Sequence, residues 1–135
     1  MQLFISLFLC LLFSSNTVAC SCVKRSLSEQ VERAHYIALV EIEQSELTSF
    51  IQDNVPHQKV RFKSIEQLKG AEEKSHFYMH NPSPGFCGGA VSKGQKLVVF
   101  LVGNDYTSIC SGSFLYKETS KQKYDELIRV LNGKN

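Results

Sequence analysis

Two cysteines one residue apart, Cys20 and Cys22, stand directly behind an uncharged apolar stretch, and this placement constrains the fold more than any other feature of the chain. Residues 1–19, MQLFISLFLCLLFSSNTVA, carry no charged side chain, run apolar from Leu3 to Phe13 and end in Thr17-Val18-Ala19. Small residues of that kind precede a signal peptidase cut. The expectation is a signal peptide over 1–19, a mature chain that begins at Cys20, and secretion to the extracellular space. A membrane-spanning helix needs about 20 apolar residues. This run dissolves into Ser14, Ser15 and Asn16, so no retained membrane anchor is expected. The basic residues that usually open a signal are missing.

Of the five cysteines Cys10 falls inside the signal, which leaves Cys20, Cys22, Cys87 and Cys110. An even number in an oxidising compartment reads as two disulfides. A bridge between Cys20 and Cys22 is disfavoured by the single residue between them. Two arrangements remain, and each ties the N-terminus to distant parts of the chain. Each bridge closes a loop of several tens of residues, worth about 4 kcal/mol in the chain-entropy account. A structural zinc site fits less well, because Cys-x-Cys with two lone partners lacks paired Cys-x-x-Cys knuckles. A lipid anchor on Cys20 is the weaker reading too, since it would leave three cysteines and an odd thiol.

With 43% hydrophobic and 21% charged residues, the chain reads as one globular domain over 20–135. The formal net charge is +2, with Lys and Arg interspersed among Glu and Asp. A nucleic-acid partner calls for a concentrated basic face, so none is expected, and a monomer is.

Ser26 with Glu29 forms a capping-box pattern ahead of Leu27, Val31 and Ala34, which predicts a first helix over about 26–34. Tyr36 to Ile42 reads as a buried strand, and the polar stretch 44–57 as a long irregular hairpin connection. Val60 and Phe62 alternate with Lys59, Arg61 and Lys63, and the phase slips before Ile65 and Leu68, which predicts a β-bulge in a strand ended by Gly70. Further strands are expected at His76–His80, Leu97–Val102 and Tyr106–Phe114, the last carrying Cys110, with a loop at 81–85. Tyr124, Leu127, Ile128 and Leu131 give a helical stripe capped by Thr119 or Ser120 and stopped at Gly133. The predicted class is mainly β with flanking helices, a disulfide-stapled five-stranded barrel of the oligonucleotide/oligosaccharide-binding (OB) type.

Cys20-Ser21-Cys22-Val23 at a mature N-terminus resembles the start of the tissue inhibitors of metalloproteinases, whose inhibitory domain is netrin-like. Ala34-His35-Tyr36-Ile37, Leu68-Lys69-Gly70, Phe86-Cys87-Gly88 and Thr107-Ser108-Ile109-Cys110 resemble further landmarks of that domain in the same order. The resemblance implies the pairs Cys20–Cys87 and Cys22–Cys110. It also implies that the α-amino nitrogen and carbonyl oxygen of Cys20 chelate the catalytic zinc of a target metalloprotease.

A catalytic zinc keeps three protein ligands and an open position for water. A bidentate N-terminus there would displace the attacking water. The reference pKa of an α-amino group is about 7.7–8.0, so metal binding can drive off its proton near neutral pH. By the same resemblance Ser21 points to the protease's specificity pocket, while Val23, Gly85 and Phe86 join Cys20 and Cys22 in the contact ridge. The resemblance implies a zinc metalloprotease as partner, and no cofactor of the protein's own is expected. Three departures stand beside this: no cysteine near Glu32 supplies the family's third disulfide, Lys24 replaces a common Pro, and the family's cysteine-rich C-terminal domain has no counterpart in these 135 residues.

The remaining motifs read as structure. His35, His57, His76 and His80 show no HExxH spacing, and His76 and His80 would share one strand face. No Ser-His-Asp or Cys-His arrangement stands out, so no enzyme is expected. Lys59, Arg61 and Lys63 read as a solvated strand face before a glycosaminoglycan site. Phe86 serves equally as a ridge anchor or as a loop residue folded onto the barrel. The alternative function is a secreted netrin-like interaction module that does not touch zinc.

Overall fold

The computed structural model describes residues 21–52, 55–80 and 89–133. The chain runs through α1 (Leu27–Arg33), β1 (Tyr36–Gln52), β2 (Val55–Lys69), β3 (His76–His80), β4 (Lys96–Leu101), β5 (Phe114–Leu115), a 3-10 turn (Glu118–Ser120) and α2 (Lys121–Leu131). The strands form one antiparallel sheet in the order β3-β2-β1-β4-β5.

Local chemistry sets both helices. The Ser26 hydroxyl accepts from the Glu29 amide at 3.2 Å, and the Glu29 carboxylate accepts from the Ser26 amide at 2.7 Å, so the predicted capping box is present. At the other end Lys69 Nζ donates to the Val31 carbonyl at 2.6 Å and satisfies part of the last turn. In α2 the stripe Tyr124, Leu127 and Leu131 packs against the sheet, with Leu127 fully buried, and Gly133 ends it at φ 68°.

β1 is apolar at both parities over Tyr36–Val40 because both faces of the sheet are covered there. Tyr36, Ala38, Val40 and Ile42 enter a core with Val60, Phe62, Phe77, Met79, Leu97, Val99 and Leu101. Ile37 and Leu39 face the other way, into a core shared with Ala34, Val98, Phe100 and Leu127. The helices cover that second face. The first core is built almost entirely from one face of a single sheet, and side chains such as Phe77 and Val60 are nevertheless fully buried. Val91, outside the strands, packs against this core, and the strands themselves are irregular. Bulges supply local twist. β2 carries an additional residue at Leu68 and at Ile65, where the alternation slips, and β1 carries one at Glu43.

Three expectations are corrected. The stretch 44–57 is no irregular connection: β1 continues to Gln52 and β2 resumes at Val55. Polar side chains bond across this ribbon, Ser45 Oγ to Gln58 Oε1 at 2.7 Å, Thr48 Oγ1 to the His57 carbonyl at 3.0 Å, and Arg61 to Gln44 at 2.6 Å. Pro56 falls beyond the last β3 pairing at His57, where a missing N–H costs no ladder bond on that side.

The expected fifth strand over Tyr106–Phe114 shrinks to Phe114–Leu115, and Cys110 lies in a turn. Ser108 and Ser111 cause this. The Ser108 amide donates to Ser111 Oγ, that hydroxyl donates back to the Ser108 carbonyl, and the Cys110 amide donates to Ser108 Oγ. These local bonds outcompete a strand ladder.

The expected closed barrel is an open sheet among the described residues, with β3 and β5 as its edges. Tyr106 forms isolated bridges to Tyr78 of β3 and to Val102 just past β4. The Tyr78 amide donates to the Asp105 carbonyl at 2.8 Å and the Thr107 amide to the Tyr78 carbonyl at 2.9 Å.

Candidate functional site

Residues 21–26, directly ahead of α1, have no regular secondary structure, and one covalent cross-link determines where they lie. Cys22 is bridged to Cys110 with 5.2 Å between their Cα atoms. Ser21 and Val23 on either side are exposed, Val23 by 71%. Ile109, next to the bridge, is an apolar side chain that is 53% exposed. The structure thus brings Ser21, Cys22 and Val23 together with the Cys110 turn. Cys20, Gly85, Phe86 and Cys87, and with them the 81–85 loop and the Cys20–Cys87 pair, lie outside the described residues.

A hydroxyl network roots the Cys110 turn in the core. Thr107 is buried, and its Oγ1 lies 2.8 Å from Ser111 Oγ and 2.6 Å from Ser113 Oγ, which accepts from the Phe100 amide at 2.8 Å. One side of the turn borders an apolar cleft of about 190 Å³ between the sheet edges, lined by Met79, Gly89, Val91, Ile109 and Leu115. The other borders a smaller cleft of about 150 Å³ with Arg25, Gln30, Arg33 and Cys110. The same turn therefore anchors the N-terminal segment and packs beside the chain that leaves Gly89.

The segment joining β4 to this turn is held by charge. Asp105, in the left-handed region at φ 57°, lies 3.0 Å from His35 Nε2 and 3.1 Å from Lys74 Nζ. Burial alone would raise its carboxyl pKa, but the bonds from His35 and Lys74 outweigh it and hold the group below its ordinary value. Beside it the rings of His57, His80 and Tyr106 form a triangle with centroids 5.1, 5.2 and 5.5 Å apart. His57 is buried and pairs with His80 across β2 and β3. Burial pushes the Tyr106 phenol up to about 12. Among the described residues no group of three or more His, Cys, Asp or Glu side chains could hold a metal ion. His76 and His80 do share a strand face, on either side of Tyr78, while Phe77 and Met79 point to the core.

Burial, and secondarily the neighbouring His57, lower the His80 pKa below its ordinary value of 6.5. The unfolded chain then binds this proton more readily than the folded one, so stability falls as pH drops below about 6.5. Denaturant midpoints should decline between pH 7.5 and 5, above the range where Asp105 titrates, and His80→Gln should flatten that decline. An unchanged slope in His80→Gln would remove His80 as its source.

No family model and no curated protein matches the chain. The functional reading therefore stands on residues and geometry. The sequence did not single out Gln58, whose buried carboxamide reaches His80 and Gly89. It lies in a polar run that reads as solvent-exposed, and no local signal marks it. Lys59 and Lys63 lie opposite Glu46 and Glu41 in the β1–β2 register, which fits a charge-balanced, solvated face.

Proposed function

We propose that this protein is a secreted inhibitor of zinc metalloproteases that acts through the amine and carbonyl of Cys20 once residues 1–19 are removed. The observation that carries the reading is the Cys22–Cys110 bridge, which fastens the residue two positions after the proposed terminus to a turn rooted in the core. A terminus tethered so close to its end loses little entropy when it docks. The exposed side chains of Ser21 and Val23 leave that stretch free for an active-site cleft. In the same reading the sheet is a partly closed OB-type barrel, with the Tyr106 bridges as the remnant of closure.

The chemistry needs an unblocked amine. Neutral α-amine and carbonyl oxygen together would occupy the open zinc position, and the water that attacks substrate would leave. Gly85 and Phe86 complete the contact ridge by resemblance to the tissue inhibitors. The long ribbon beyond the core, with Leu47 74% exposed, supports a second reading as a netrin-like interaction module. One assay separates the two. Oxidised protein starting at Cys20 is expected to inhibit members of a zinc metalloprotease panel, and the same protein with one extra Ala before Cys20 is expected to lose at least about a hundredfold in potency, since the chelating group is displaced. Equal potency of the two would exclude chelation by the terminus. No inhibition by either, with both folded, would leave the interaction module.

A further inference from the structure

The triangle of His57, His80 and Tyr106 draws its rings from three separate stretches of chain, and the backbone fixes where each one starts. His57 and His80 are paired across β2 and β3, which puts their side chains on one face of the sheet. Tyr106 joins them because the Tyr78 amide donates to the Asp105 carbonyl and the Thr107 amide to the Tyr78 carbonyl. The Asp105 carboxylate, tied to His35 and Lys74, holds that stretch from the other side. His80 Nδ1 and the Tyr106 hydroxyl are both buried, and neither has a hydrogen-bond partner. The His80 backbone favours the ionised phenol from nearby, without a formed hydrogen bond to it. Buried polar atoms without partners are uncommon in folded proteins, and each calls for an explanation such as an ion or a water between them.

We propose that His57, His80 and Tyr106 form a binding site for a divalent transition-metal ion, copper or zinc, with two imidazole nitrogens and the phenol oxygen as ligands. Ring spacing supports this. A metal about 2.0–2.1 Å from an imidazole nitrogen stands roughly 3.2 Å from the ring centroid, so two imidazoles at a tetrahedral angle have centroids about 5.2 Å apart. The His57 and His80 centroids are 5.1 Å apart, and that of Tyr106 lies 5.2 Å from His80 and 5.5 Å from His57. Imidazole suits copper and zinc, whereas calcium and magnesium require several oxygen ligands, and the triangle offers one. Metals take the neutral imidazole, and burial favours that form of His80. On binding, the phenol proton passes to solvent. Burial opposes a lone phenolate, but a dication beside the oxygen supplies the missing counter-charge. His80 is only half-buried, so water can reach the remaining coordination positions. The site is independent of the proposed inhibition.

The test is a copper(II) titration of the oxidised protein starting at Cys20, followed by calorimetry and visible absorption, in wild type, His80→Gln, Tyr106→Phe and His76→Gln. The terminal amine is the same in all four, so the differences between them report on the triangle. Wild type is expected to bind copper with a tyrosinate-to-copper charge-transfer band. His80→Gln is expected to weaken this binding at least about a hundredfold, since a ligand counts for more than the outer-shell partners whose loss costs about 10–100-fold. Tyr106→Phe keeps the ring and is expected to abolish the band and weaken binding about tenfold or more. His76→Gln, on the same strand face but outside the triangle, should change neither readout. Unchanged affinity in His80→Gln would overturn the site. So would absence of binding by wild type, which would leave the triangle to a water molecule. A wild type without the band, or a band that survives Tyr106→Phe, would overturn the phenol as a ligand. Should His80→Gln fail to fold, Tyr106→Phe decides by the band and the affinity together.

Discussion

Replacing Cys22 and Cys110 together by Ser is expected to lower the unfolding free energy by about 4–5 kcal/mol, because the bridge closes a sequence separation of 88 residues. The double variant avoids the stray thiol that a single replacement would leave. Native packing should not be lost with the bond. Cys22 is exposed and Ser108 and Ser111 still close the turn, so the sheet should keep its far-UV signature and its exchange protection at low denaturant. The cost should fall on the unfolded ensemble, which regains its freedom, and on residues 21–25, which lose the disulfide that cross-links them to the Cys110 turn. Denaturant titration of the oxidised wild type and the double variant measures this. A difference below about 1 kcal/mol would mean that the bridge does not restrain the unfolded chain as the entropy account requires. Under the proposed function the same variant should inhibit more weakly while remaining folded at low temperature, since the terminal segment would lose one of the two bridges that the resemblance implies.

What was legible in the sequence is what is decided within a few residues. The Ser26–Glu29 box, the His76–His80 strand, the α2 stripe at Tyr124, Leu127 and Leu131, though not at Ile128, and the slips at Ile65 and Leu68 each depend on near neighbours, and each is found. The ribbon over 44–57 escaped because its strands are stabilised by polar cross-strand bonds, and these leave no apolar alternation to read. Tyr106-Thr107-Ser108-Ile109 has the composition of a strand, yet hydroxyls one turn apart fold it back, and composition does not show which partner a serine will choose. The sheet's openness depends on how far β3 and β5 approach, a distance set by bulges across the whole sheet. For the site, cysteine spacing left two pairings open, and the resemblance implied the Cys22–Cys110 bond that is observed. Gln58 could not be found at all, since its role exists only when His80 and Gly89 meet in space.

Gly70 combines both kinds of information, and Gly70→Ala is expected to cost about 2–4 kcal/mol, several times the cost of the same change at Gly94. The sequence marks Gly70 only as the end of a strand. In the structure it sits at φ 105°, and a Cβ there would lie 3.0 Å from the His35 carbonyl oxygen and 3.1 Å from the Tyr36 ring. Neither neighbour can yield cheaply. The His35 carbonyl is backbone at the entry to β1, and Tyr36 is fully buried and in contact with Phe62. Gly94 provides the control: its φ is 85°, but nothing lies within 4 Å of the added carbon. Alanine at Gly94 should therefore cost only the backbone term for positive φ, about 1 kcal/mol. The difference between the two variants isolates the steric clash from the conformational strain. If thermal or denaturant unfolding gave equal losses, the close approach of the β2 terminus to His35 and Tyr36 would not exist in solution. A much larger loss at Gly70 would show that this contact fixes where β2 ends and, through Lys69, how α1 is capped on the sheet.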